Sequence, residues 1–320
     1  MKKVYLCNNI MVKGVVLRST GSWYSVLCES GDRIDCRLKG KLRTHGIRTT
    51  NPVAVGDYVY VEQSDRHEAV ISEILPRDNY MIRKATRLSK SSHIIAANID
   101  MAFLIVTLAA PRTSLGFIDR FLVTAGAYHI PAALIFNKID LLSLDDREEL
   151  LRLEALYRNI GYPCYETSAT QQQGIESLRE LLKGKVSLFS GHSGVGKSAL
   201  INVIEPALDL KTGAISDYHQ KGMHTTTFAE MFPLSFGGYI IDTPGIKEFG
   251  MVDLEKEEVS HYFPEMLTLI YDCSFHNCTH IHEPGCAVKE AVAANKISSS
   301  RYRNYCSILN DESFHIADWE

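Results

Sequence analysis

The chain has 320 residues, 45% of them apolar and 22% charged, with a formal net charge of −4. This is ordinary globular composition, and 21 Gly and 10 Pro exclude a collagen-like or Pro/Gly-rich disordered chain. The longest apolar stretch, Met101 to Ala110, is ten residues against the roughly 20 of a membrane span, so no transmembrane helix is expected. The N-terminus, interrupted by Asn8 and Asn9, carries no secretory pattern, and the chain is read as cytoplasmic.

The length suggests two or three domains. Residues 1–95 hold 16 Lys and Arg against 9 Asp and Glu, while residues 96–320 hold 18 against 29. A net +7 front joined to a net −11 remainder points to a polyanion partner for the front.

Residues 1–75 read as short strands. Gly14 to Leu17, Trp23 to Leu27, Arg33 to Arg37 and Tyr58 to Val61 are β-branched or aromatic runs separated by turn signals. A small barrel of the oligonucleotide-binding kind fits them. Between 33 and 48 lie Arg33, Arg37, Lys39, Lys41, Arg43, His45 and Arg48 with one acid, Asp35. Such a patch binds a phosphate backbone. Trp23 and Tyr24 are candidates either to stack bases or to fill the core. A basic linker is expected over 76–95.

From 96 the period changes. Met101 to Val106 and Ala132 to Phe136 are apolar throughout, as strands buried on both faces are. Helical spacing follows each, at Leu115 to Ala125 and Leu150 to Ile160. A short helix over 174–183 precedes a third strand, Val186 to Phe189. The alternation predicts a multidomain α/β chain with a mostly parallel, doubly wound sheet over 96–252.

Asn137-Lys138-Ile139-Asp140 closes the second strand, at the edge where such sheets bind ligands. A carboxylate there accepts two hydrogen bonds from guanine N1–H and N2–H₂. Adenine has no such donor pair, so Asp140 selects guanine. Thr167-Ser168-Ala169 completes the pocket, with the Ala169 N–H facing the base oxygen. After the third strand, Ser190 leads into Gly191-His192-Ser193-Gly194-Val195-Gly196-Lys197-Ser198, which fits G-x-x-x-x-G-K-[ST] between a strand and an apolar-periodic segment. Its backbone N–H groups can face phosphates, Lys197 can reach the β- and γ-phosphates, and the Ser198 hydroxyl can take Mg²⁺. Gly222 to Thr227 offers a threonine to close over Mg²⁺, with Thr226 the choice. Asp242-Thr243-Pro244-Gly245 follows a fourth strand. Asp242 can hold Mg²⁺ through water and the Gly245 N–H can sense the γ-phosphate.

The tail, 253–320, carries Cys273, Cys278, His280 and Cys286 within fourteen residues. Three thiols and an imidazole make a tetrahedral, structural zinc set, and so small a unit would fold only with its metal. His276 and His282 are alternative ligands.

The motif order is permuted. A Ras-like GTPase runs phosphate loop, switch threonine, D-x-x-G, N-K-x-D, S-A; here N-K-x-D and S-A come first. With that order, Ile118-Asp119-Arg120-Phe121-Leu122, His224-Thr225-Thr226-Thr227 and the cysteine cluster, essentially the whole chain resembles the circularly permuted, ribosome small-subunit-dependent GTPases, the RsgA or YjeQ family. Family members often have a basic residue where this chain has Met223. The resemblance implies a monomer that binds GTP or GDP and hydrolyses GTP during late small-subunit maturation, stimulated by the subunit. It implies ribosomal RNA as the partner of the basic front and favours His280 as the fourth zinc ligand. Ile246 stands where Ras-like enzymes carry the water-orienting Gln; the resemblance gives that task to His224, beside Lys197 in catalysis.

Overall fold

A computed structural model describes residues 10–40, 52–64, 67–83, 93–210, 229–243 and 256–310. The first runs form β1 (Ile10–Ser19), β2 (Tyr24–Cys28), β3 (Arg33–Leu38), β4 (Tyr58–Ser64) and β5 (His67–Ile74). They close a barrel in the order β1-β2-β3-β5-β4-β1, with only β3 and β5 parallel. Alternation drives the closure. Val16, Tyr24, Val26, Cys36, Val59 and Ile71 point in and form one core, while Arg33, Asp35 and Arg37 point out. The aromatic pair divides: Tyr24 is core, and Trp23 is exposed beneath the Arg37 guanidinium, 4.3 Å from its ring.

The stretch expected as a linker, 76–95, holds β6 (Tyr80–Arg83) and the start of β7 (His93–Ala97), paired antiparallel. The end of β7 and the residue after it bind backbone carbonyls of the barrel. Ala97 N–H donates to the Val55 carbonyl and Asn98 Nδ2 to the Gly56 carbonyl, both at 2.9 Å. Gly56 (φ +87°) permits that approach, since a Cβ there would sit 2.2 Å from the Ala97 oxygen. Buried Asp57 receives Arg77 Nε at 2.6 Å and Nη2 at 2.7 Å.

Next come β8 (Met101–Val106), α1 (Leu115–Ala127), β9 (Ala132–Phe136), α2 (Leu144–Asn159), β10 (Cys164–Glu166), α3 (Ile175–Leu182), β11 (Val186–Ser190), α4 (Lys197–Ile204), β12 (Glu230–Pro233) and β13 (Tyr239–Asp242). The sheet order is β10-β9-β8-β11-β13-β12, parallel except for β12. Apolar residues of α1 and α2 cover one face and those of α3 and α4 the other. That double cover is why β8 and β9 are apolar on both sides. Arg18 of β1 pairs with Glu230 of β12, so barrel and sheet run on as eleven strands. No helix among the described residues is long and apolar enough to cross a membrane.

The tail packs α5 (Pro264–Leu267), α6 (Ala287–Ala293) and α7 (Ser299–Asn310) around Phe263, Met266, Val288 and Tyr305. Val123 of α1 belongs to the same core. Beside it lies a buried ionic knot. Arg301, 1% exposed, donates to Asp119 Oδ1 at 2.6 Å and to Glu265 Oε1 and Oε2 at 2.7 and 3.0 Å. Asp119 also accepts from Tyr157 and Asn304, and the guanidinium lies over the Phe263 ring at 4.5 Å. Burial opposes its charge, but Asp119 and Glu265 outweigh burial and hold its pKa above the ordinary value.

Removing the cation alone strands two buried carboxylates. Arg301→Met is therefore expected to destabilise the protein by about 3–5 kcal/mol, read as a lowered denaturation midpoint with α1 and α7 losing hydrogen-exchange protection together. A midpoint matching the wild type would show that the knot does not hold the tail to α1.

Candidate nucleotide site and metal centre

The strand β11 ends at buried Ser190, and the chain curls through 191–196 before α4 begins at Lys197. Gly194 and Gly196 have φ of +87° and +88°. A Cβ on Gly196 would lie 2.7 Å from Asn137 Nδ2, so only glycine fits. No side chain caps the N-terminus of α4, which leaves its first N–H groups free for an anion.

The N-K-x-D segment holds this loop from the side. Asn137, buried at the end of β9, donates to the Val195 carbonyl at 2.9 Å and accepts from Thr167 Oγ1 at 3.0 Å. Lys138 has a left-handed backbone (φ +62°), and its Nζ donates to the Gly194 and Ala110 carbonyls at 2.6 and 2.7 Å. Ile139 is buried and anchors the turn. Half-buried Asp140 accepts from Ser168 Oγ at 2.6 Å and Thr170 Oγ1 at 2.9 Å. The Ser168 hydrogen bond leads in holding its pKa below the ordinary value, against burial and with Thr170 assisting. It is therefore an acceptor-only carboxylate at neutral pH. Ala169 is half-buried next to it.

On the phosphate side, Lys197 Nζ donates to the Asp242 carboxylate and, at 2.8 Å, to the Thr243 carbonyl. Ser193 is exposed, and Ser198 is half-buried in the first turn of α4. Val195 is fully buried and Gly191 packs against Ile105. His192 Nε2 lies 2.8 Å from Thr113 Oγ1, and its ring meets Phe117 of α1 edge-on at 5.8 Å. Sequence gives no signal for Thr113 or for the Lys138 contacts, since backbone carbonyls have no side-chain signature. His224, Thr226 and Gly245 lie outside the described residues.

On the barrel, Arg33, Arg37 and Lys39 are exposed. Arg37 pairs with Glu68 at 3.2 Å and Lys39 with Glu62 at 2.8 Å. Lys41, Arg43, His45 and Arg48 lie outside the described residues.

In the tail, Cys273, Cys278, His280 and Cys286 place their ligand atoms within 4.8 Å of one another. His280 Nδ1 is 3.4 Å from Cys286 Sγ and 3.6 Å from Cys273 Sγ, and those two sulfurs are 4.0 Å apart. Bond lengths of about 2.3 Å to sulfur and 2.0 Å to nitrogen give tetrahedral edges of about 3.8 and 3.5 Å, so the residues fit zinc. His276 and His282 are exposed and outside the cluster. Burial pushes the Cys278 thiol up to about 12, raises Cys286 and lowers His280. Tyr302 donates to the His280 carbonyl at 2.6 Å and Tyr305 to that of Thr279 at 2.7 Å, so α7 braces the cluster. Burial would raise Glu283, but hydrogen bonds from the Thr279 hydroxyl and from N–H groups of the same turn outweigh it and hold the carboxyl at about 2.

The RsgA GTPase family model matches residues 74–252, and the RsgA N-terminal domain model matches residues 13–71. The small ribosomal subunit biogenesis GTPase RsgA of Phocaeicola vulgatus is 56% identical over 301 residues, covering 94% of this chain and 97% of its own. That of Bacteroides fragilis is 54% identical with the same coverage. Among solved structures, YjeQ from Thermotoga maritima has a TM-score of 0.77 at 37% identity, over 94% of this chain and 98% of its own. YloQ, described as a circularly permuted GTPase, has a TM-score of 0.73 at 29% identity, over 99% and 100%.

Metal capture by protonated thiols releases protons, so affinity falls as pH falls. The purified protein is expected to carry about one zinc, to lose it on acidification, and to lose it with Cys286→Ser, measured as metal content by mass spectrometry. Full zinc content in that variant would remove Cys286 from the ligand set.

Proposed function

The chain belongs to the RsgA family of circularly permuted GTPases, and on that premise we propose that small-subunit binding stimulates its GTP hydrolysis late in subunit maturation. It is a GTP hydrolase of small ribosomal subunit biogenesis. Subunit dependence rests on the family, and the observation that carries the nucleotide reading is the direct joint between the base-reading and phosphate loops, Asn137 to Val195 and Lys138 to Gly194. One ligand with a guanine at one end and phosphates at the other spans that joint.

Asp140 reads guanine N1–H and N2–H₂, and the Ala169 N–H takes the base oxygen. The backbone of 191–196 cradles the phosphates. Lys197 leaves Asp242 and the Thr243 carbonyl for the β- and γ-phosphates as they arrive, exchanging one anion for another. Ser198 and Thr226 would hold a magnesium ion, with Asp242 behind it through water; the ion, when bound, neutralises charge on the phosphates. The Gly245 N–H senses the γ-phosphate. Ile246 cannot orient the attacking water, and His224 does so in its place.

Residues 1–75 serve as the RNA-binding barrel, 76–95 as the connector, 96–252 as the GTPase unit and 253–320 as the zinc-stapled tail. Arg33, Arg37, Lys39, Lys41, Arg43 and Arg48 take the ribosomal RNA backbone, which makes binding salt-dependent. The protein works as a cytoplasmic monomer.

Turnover measured with and without purified small subunits tests this. Stimulation by the subunit is expected, and an unchanged rate would overturn the proposal. In the same assay His224→Ala should lower the stimulated rate by roughly 10²-fold or more, the scale of a lost water-orienting base, while GTP affinity changes little. Equal stimulated rates would take His224 out of the mechanism.

A further inference from the structure

Thr170 has no place in the motifs above, yet it touches the group proposed to choose the base. Its Oγ1 lies 2.9 Å from Asp140 Oδ2, while Ser168 Oγ lies 2.6 Å from Oδ1. The two hydroxyl oxygens are themselves 3.0 Å apart. Each hydroxyl has a single proton. That of Ser168 goes to Asp140, and its oxygen already accepts the Gln171 N–H at 3.1 Å. That oxygen keeps a second lone pair, so the Thr170 proton has two acceptors within reach, and it goes to the carboxylate oxygen, which is nearer (2.9 against 3.0 Å) and charged.

Asp140 therefore has one hydroxyl on each oxygen. An ionised carboxylate offers about four lone-pair sites. The two hydroxyls occupy one on each oxygen, and the carboxylate's remaining acceptor capacity is what the two guanine donors would use. The Cβ–Cγ torsion of an aspartate is broad and has no staggered well to fix it. One donor would anchor one oxygen and leave the other free to swing; two donors set the plane of the group. The loop that carries Thr170 is itself closed. Ser168 and Gln173 exchange N–H to carbonyl bonds at 3.1 and 3.0 Å, and Ile139 N–H donates to the Thr167 carbonyl at 3.3 Å, tying the two loops together.

We propose that Thr170 is a positioning residue for base selection: its hydroxyl sets the Asp140 carboxylate plane so that both oxygens meet the guanine edge together. This rests on Asp140 reading guanine. N1–H alone can be met by one oxygen in many orientations. Meeting N2–H₂ as well requires the plane, so Thr170 acts on the preference for guanine over a base lacking the 2-amino group, not on phosphate binding.

The test compares dissociation constants of GDP and inosine diphosphate on the full chain. Inosine diphosphate keeps N1–H and lacks the 2-amino group, and both share the same phosphates, so the ratio isolates the base edge. Thr170→Val keeps the shape of the side chain and removes the donor. It should reduce the guanine preference roughly three- to tenfold, part of what one hydrogen bond to a charged group is worth, since the carboxylate is loosened and not removed, with Thr170→Ser restoring it. An unchanged ratio, or equal weakening of both nucleotides, would overturn the inference and leave Thr170 a loop residue only. Asp140→Asn separates the two levels. If that variant keeps the guanine preference, the role given to Asp140 itself fails. If it loses the preference while Thr170→Val keeps it, only the role of Thr170 fails.

Discussion

Two hydrogen bonds from consecutive residues hold the base-reading turn to the phosphate loop: Asn137 to the Val195 carbonyl and Lys138 to the Gly194 carbonyl. Everything proposed for the nucleotide depends on that joint, because it sets the distance between the two ends of one ligand. Both acceptors are backbone, so the joint restrains the loop itself. The strands that deliver it, β9 and β11, are separated only by β8. Parallel pairing depends on position in space, so the same joint forms whichever motif the chain makes first. This is the physical reason a permuted order leaves the site intact.

A second constraint lies one turn into α1. That helix begins beside His192 and Phe117, where it meets the phosphate loop, and it carries Asp119 into the knot with Arg301 and Glu265. A buried guanidinium is tolerated only with partners of this quality. Its two carboxylates come from different parts of the chain, Asp119 from α1 and Glu265 from α5, so the tail that carries the cysteine cluster is seated on α1 through a charge that cannot be left alone. Tyr302 and Tyr305, on the same helix as Arg301, then reach the backbone of the cysteine cluster.

Legibility in the sequence followed the range of the interaction. The phosphate loop, the N-K-x-D turn and the cysteine spacing are local, and each lies on the element expected for it. The barrel could be read from alternation, and β8 and β9 from unbroken apolar runs. What was not legible depends on distant partners. Asp119 belonged to the motif 118–122, but its purpose is set by Arg301, 182 positions later. Strand β6 and the start of β7 lie in what resembled a linker, because their order comes from Val55, Gly56 and Asp57 of the barrel. Thr170 followed Thr167-Ser168-Ala169 without belonging to it, and only the fold puts its hydroxyl on Asp140. Trp23 and Tyr24 are adjacent and chemically alike, yet Tyr24 opens β2 facing the core while Trp23, just before the strand, lies outside under Arg37.

The sheet order also has a consequence in time. Strand β8 pairs with β9 on one side and with β11 on the other, and β11 starts about 80 residues after β8 ends. At translation rates of about 5–20 residues per second, those residues take roughly 4–16 s to emerge. During that interval β8, β9 and β10 can pair while β8 still presents an open edge, the kind of surface that invites wrong partners. The N-K-x-D turn and the Thr167-Ser168-Ala169 segment thus leave the ribosome before the 191–198 loop does. Arrival of β11 then closes the edge and forms the Asn137 and Lys138 contacts in one event, so completion of the sheet and assembly of the site coincide.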